Sequence, residues 1–144
     1  MINYPLEFDI QAQGKSGIQT VWSSGAAHGV SAKCAIPPEF AGPGGGFSPE
    51  DLYAMAIGNC FIATFKVIAE KSNFIFDEIL VHAHLTVDRN EAGFPWMAKV
   101  HNHVILKGGS DVDRGKRLLE KTSEQCLVGN SVRTPITYEF ELRS

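Results

Sequence analysis

The segment from Leu52 to Ile68 limits the folds open to this chain more than any other. Lys66 is its only charged residue, and Leu52, Met55, Ile57, Phe61, Phe65 and Val67 leave it apolar nearly all round. A helix without a polar face has to be buried on every side. A chain of 144 residues holds too little material to surround it, so a second copy is expected to cover part of it. The start of the helix is well marked: Ser48 suits the N-cap, Pro49 the first helical position, and Glu50 and Asp51 face the positive end of the dipole. The uncharged stretch Leu52–Phe65 falls short of the roughly 20 residues of a spanning helix, so no membrane partner is expected.

Around this helix the chain reads as strands. Tyr4, Leu6, Phe8 and Ile10 alternate with polar residues, a two-residue period that predicts a first strand. After the turn Gly14-Lys15-Ser16-Gly17, Ile18, Thr20 and Trp22 begin a second, and Val30, Ala32, Cys34 and Ile36 a third. Gly42 to Gly46 close a breaker-rich loop that ought to be irregular, a lid or a loop between subunits. Val81, Ala83, Leu85 and Val87 match Ala98, Val100, Val104 and Leu106 if Val81 pairs with Val104. Ser110 is expected to cap a second helix, with Val112, Gly115, Leu119, Thr122 and Cys126 along one stripe. Ile136, Tyr138, Phe140 and Leu142 predict a closing strand. This is an α+β pattern with no dividing linker, hence a single domain over residues 1–144.

A net charge of −3 gives no electrostatic footprint for nucleic acid. Three cysteines do not make a secreted disulfide framework, and no leader pattern opens the chain, so a cytoplasmic protein is expected. Cys60, in mid-helix, and Cys126, ending the stripe of the second helix, can meet where the helices pack. Such a pair suits thiol redox chemistry, in which one thiolate is oxidised and a second thiol closes a disulfide. Buried cysteines also serve as plain core residues. Glu50 precedes Cys60 by ten residues, roughly 80° round the helix, and serves either the dipole or a cation that steadies the thiolate.

Phe47-Ser48-Pro49-Glu50-Asp51-Leu52, Gly58-Asn59-Cys60-Phe61 and Cys126-Leu127-Val128-Gly129-Asn130-Ser131 together resemble the OsmC/Ohr family of hydroperoxide-reducing proteins. The resemblance spans nearly the whole chain. It implies an intertwined homodimer in which antiparallel sheets from both chains wrap long central helices. It makes Cys60 the peroxidatic and Cys126 the resolving cysteine, and Glu50 the glutamate that holds an arginine against the thiolate. That arginine belongs in the turn occupied here by Lys15, and the first arginine of this chain is Arg89. Lysine supplies charge without the planar fork, so Lys15 stands as the candidate cation of a weakened site. The substrate implied is an organic hydroperoxide, favoured by an apolar lining of Phe47, Met55 and Phe61. The implied reductant is a dithiol, with a lipoyl protein the family-based choice, and no cofactor is needed. The competing reading is a non-catalytic dimer of the same type that binds a small apolar ligand or senses redox state.

One further group stands out. The strand pairing puts His82 opposite His103 and His84 opposite His101, on the face away from the apolar set. Four imidazoles there have the chemistry to bind zinc, nickel or copper, but the face reads as solvated, and no metal site is assigned.

Overall fold

A computed structural model describes residues 1–144. Its elements are β1 (Ile10–Gln13), β2 (Trp22–Ala26), β3 (Ser31–Cys34), a 3-10 turn (Pro38–Phe40), α1 (Pro49–Lys71), β4 (Glu78–Arg89), β5 (Pro95–Lys107), α2 (Val112–Gln125), α3 (Leu127–Asn130) and β6 (Ile136–Arg143). They gather in two compact units, Met1–Leu52 and Tyr53–Ser144.

In the first unit β1, β2 and β3 form an antiparallel sheet in chain order, with Ile10 opposite Ala26 and Trp22 opposite Cys34. The strand expected from Tyr4 to Ile10 does not form. Pairing starts only at Ile10, and Ile2, Tyr4 and Phe8 stand exposed. Alternation makes a strand only where an edge offers hydrogen bonds, and Pro5 has no N–H to give. The second strand starts at Trp22 rather than Ile18. Gly17, at a φ of 106°, turns the chain there, and Thr20 closes the turn by donating from its hydroxyl to the Gly17 carbonyl at 2.8 Å. The loop after β3 keeps one turn of 3-10 helix, a small departure from the irregularity expected of it.

Ser48 caps α1. The Asp51 amide donates to Ser48 Oγ at 3.0 Å, and the Ser48 amide donates to Asp51 Oδ2 at 2.9 Å, a reciprocal pair. The helix runs 23 residues, long and apolar enough to cross a bilayer by length and composition. Within the chain it is not buried on every side. Ile57, Gly58, Phe61, Phe65, Ile68 and Ala69 face inward, while Leu52, Met55 and Val67 are exposed.

In the second unit the sheet order is β4-β5-β6. Val81 pairs with Val104, His82 with His103 and His84 with His101, the register expected from parity. β6 runs parallel to β5, so this sheet is mixed and not antiparallel throughout. Two helices lie between β5 and β6 in the chain, the length of connection that a parallel crossover requires. Phe61, Phe65 and Ile68 of α1 form one core with Val104, Leu106, Phe74, Leu118 and Leu119. Asp111, not Ser110, caps α2, accepting from the Arg114 amide at 3.1 Å. Gly115, Leu119 and Thr122 are buried as expected, but Val112, in the first turn, is 63% exposed.

Candidate active site

Cys60 and Cys126 come together within the second unit. Cys60 lies midway along α1, partly buried, and Cys126 links α2 to α3, almost wholly buried. The arrangement follows from the helix ends. α2 stops at Cys126, which also opens the single turn of α3, and the amide N–H groups of that turn are free to point at a neighbour. The Val128 N–H donates to Cys60 Sγ at 3.4 Å. The Thr64 hydroxyl, one turn further along α1, lies 3.8 Å from the same sulfur.

These contacts act differently on the two thiols. Burial opposes ionisation of Cys60, but hydrogen bonds from the Val128 amide, the Cys126 thiol, the Thr64 hydroxyl and the Leu127 amide outweigh it and hold its pKa below the ordinary value. Burial pushes the Cys126 thiol up to about 11, and the adjacent Cys60 adds to the rise despite a bond from the Gly129 amide. Cys60 is therefore the more readily ionised of the two thiols, the division of labour a disulfide-forming pair needs. No side-chain cation is among these influences on Cys60. Tyr138 lies close enough to be affected by both cysteines. Its hydroxyl is raised to about 12, by burial first and then by charge on Cys126 and Cys60.

The other expected residues are placed as follows. Phe61 is fully buried, its ring centroid 5.6 Å from Tyr138 and 6.0 Å from Phe140, so it belongs to the core behind Cys60. Met55 is 39% exposed on α1, and Phe47, 41% exposed, precedes the helix. Glu50 has a buried oxygen, Oε2, without a hydrogen-bond partner. Lys15 is exposed beside a concavity of about 580 Å³ that also touches Trp22 and Lys33. Neither Glu50 nor Lys15 forms a salt bridge within the chain. Cys34 is buried in β3 and its thiol points at the Ala32 carbonyl, 3.8 Å away.

The four histidines do share one face, and β6 adds carboxylates to it. His101 Nε2 lies 3.6 Å from Glu139, and His103 Nε2 lies 3.4 Å from Glu139 and 3.2 Å from Glu141. Thr137 takes the other nitrogen of His101 at 2.7 Å. The contacts with Glu139 and Glu141 are ion pairs between imidazole and carboxylate, and no group of three such side chains is arranged to hold a metal ion.

The residues that sequence reasoning missed are the amides of Leu127 and Val128, together with Thr64 and Tyr138. Thr64, four residues after Cys60, was legible as its neighbour on the helix face. The amides carry no side-chain signal.

Comparison with known proteins bears on the family and the fold. The Uncharacterized protein ACIAD3023 of Acinetobacter baylyi is 29% identical over 114 residues, covering 78% of each chain. The Organic hydroperoxide resistance protein of Xanthomonas axonopodis pv. citri is 26% identical over 115 residues, 78% of this chain and 79% of that one. Among solved structures, the OsmC-like protein of unknown function VCA0330 from Vibrio cholerae superposes with a TM-score of 0.82. It shares 18% identity over 94% of this chain and 99% of its own, which establishes a common α+β fold. Residues 42–141 match the family model described as OsmC-like protein, and the chain belongs to that family.

Proposed function

We propose that this protein is a thiol-based peroxidase that reduces organic hydroperoxides. The observation that carries the reading is that the turn opened by Cys126 sets the Val128 N–H on Cys60 Sγ at 3.4 Å, which favours ionisation of Cys60 over that of its neighbour. The Xanthomonas relative, named for organic hydroperoxide resistance, supports the substrate class. In the reaction, the Cys60 thiolate attacks the distal oxygen of the hydroperoxide. The O–O bond breaks, the alcohol leaves after taking a proton, and Cys60 becomes a sulfenic acid. Cys126 attacks that sulfur, forming a disulfide and releasing water. A dithiol then restores both thiols by exchange, and a lipoyl group is the reductant proposed.

Two further parts belong to this reading. Glu50 serves by holding a cation, since a buried carboxylate oxygen without a partner is costly. Lys15 is the proposed cation. The working form is a homodimer, which gives the exposed Leu52, Met55 and Val67 of α1 somewhere to be buried. Phe47 and Met55 contribute apolar lining for an alkyl substrate, with Phe61 as packing behind it.

Stopped-flow oxidation of the reduced protein tests the proposal. Cumene hydroperoxide is expected to react much faster than hydrogen peroxide, Cys60→Ser to abolish the reaction, and Cys126→Ser to stop at the sulfenic acid. Equal and slow oxidation by both peroxides, unaffected by Cys60→Ser, contradicts it and favours the non-catalytic carrier.

A further inference from the structure

Tyr53, Ile57, Cys60 and Thr64 follow one another along α1 at steps of four, three and four, so they share one stripe of the helix. The segment 126–134 is hydrogen-bonded to that stripe near both of its ends. Close to its start the Val128 N–H donates to Cys60 Sγ at 3.4 Å. At its end the Tyr53 hydroxyl and Thr134 Oγ1 lie 2.6 Å apart. Tyr53 stands seven residues before Cys60, about 10 Å along the helix axis, so the two attachments are well separated.

Counting protons fixes the direction of the second attachment. Thr134 has one hydroxyl proton and donates it to the Met97 carbonyl at 2.8 Å. Its oxygen therefore accepts from the Tyr53 hydroxyl. The chain Tyr53 to Thr134 to Met97 joins α1 to β5 through a buried residue, Thr134 being 7% exposed. The next residue, Pro135, accepts from the Val100 amide at 3.0 Å, which fastens the same point to β5 a second time.

What is fixed at Thr134 is transmitted to Val128 because little slack lies between them. The Asn130 amide donates to the Cys126 carbonyl at 2.9 Å and the Ser131 amide to the Val128 carbonyl at 3.0 Å. Ser131 Oγ donates to the Leu127 carbonyl at 2.8 Å, and Asn130 Nδ2 to the Glu124 carbonyl of α2 at 2.8 Å. These bonds make residues 126–131 one firm turn on the end of α2. They leave Val132 and Arg133 between that turn and Thr134. The hold on sulfur is the weaker of the two attachments, since it weakens further when oxidation removes the thiolate charge. The bond between the two hydroxyls is unaffected by that change.

We propose that the Tyr53–Thr134 bond is a latch that seats the α3 turn on α1 and so keeps the Val128 N–H on the Cys60 sulfur. Its kinetic consequence rests on the peroxidase reading above. Tyr53 and Thr134 are positioning residues, because they act on Cys60 through the turn and do not touch the reacting atoms.

The test needs no peroxide at first. Alkylation of Cys60 by iodoacetamide, followed by peptide mass from pH 5 to 10, reports how readily its thiolate forms. In Tyr53→Phe, which keeps the ring, the midpoint should move upward and the rate on its acid side fall about fivefold, as expected for one ordinary hydrogen bond. Thr134→Val should do the same, and Thr134→Ser, which keeps the hydroxyl, should retain the wild-type midpoint. A thermal melt accompanies each variant. A lower melting temperature with an unmoved midpoint in Tyr53→Phe makes the bond structural only and overturns the inference, as does a wild-type profile in both Tyr53→Phe and Thr134→Val. Cumene hydroperoxide is then added to each protein, and its loss should slow in step with alkylation. A shifted midpoint in Tyr53→Phe, where even wild type leaves the hydroperoxide untouched, supports the latch and overturns the peroxidase reading instead.

Discussion

The amide of Val128 donates to the sulfur of Cys60 at 3.4 Å, across 68 residues of chain. That bond joins the middle of α1 to the turn begun by Cys126, and it places a fixed dipole against a sulfur that would otherwise resist ionisation. The contact is made by backbone, so no side-chain substitution at position 128 removes the donor itself, except proline.

The pH dependence of the first step follows directly. Only the thiolate attacks a peroxide, so the rate should rise with pH through the Cys60 pKa, below the ordinary thiol range, and then level off. Cys126 should titrate near 11, well after that plateau is reached. Rates of hydroperoxide loss from pH 5 to 10 check this. A rate still climbing steeply at the top of that range would mean that the donors around Cys60 do not outweigh its burial.

Val128→Pro removes the N–H while leaving α3 only one turn to disrupt. It should move the midpoint of the rate profile upward and slow the reaction at pH 7 by about tenfold, the effect of one hydrogen bond to a charged group. The measurement is the same pH series, with circular dichroism to show that the fold is retained.

Lys15→Ala tests the proposed cation. It should lower the hydroperoxide rate at neutral pH and raise the Cys60 midpoint, and Lys15→Arg should restore or exceed wild-type activity because guanidinium adds a planar fork. Unchanged rate and midpoint in Lys15→Ala would remove Lys15 from the mechanism and leave the Glu50 carboxylate to another cation.

Assembly is checked by sedimentation. The protein should run at twice its 15.7 kDa chain mass, since a monomer leaves Leu52, Met55 and Val67 of α1 exposed together with Tyr4 and Phe8. A species of single-chain mass at micromolar concentration would contradict the dimer.

The sequence carried the second unit more fully than the first. Two faces of opposite polarity fixed the Val81–Val104 register, because a slip of one residue would bury His82, His84, His101 and His103. The parallel placement of β6 was not legible, since alternation in Ile136–Leu142 says which side faces in and nothing about direction. In the first unit, alternation from Tyr4 to Ile10 suggested a strand that this chain does not form, because the sheet offers no edge there. At the site, Cys60 and Cys126 could be read as a candidate pair from residue type and helix position, while their separate roles, and that proposed for Glu50, came with the family resemblance. The groups that tune Cys60 are mostly backbone amides and are invisible to both.

The most direct measurement is peptide mapping by mass spectrometry after reduced protein meets one equivalent of cumene hydroperoxide. The account predicts one disulfide, between the peptides that carry Cys60 and Cys126, with Cys34 still a free thiol. Intact thiols at both positions after the hydroperoxide is exhausted, or oxidation confined to Cys34, would contradict it.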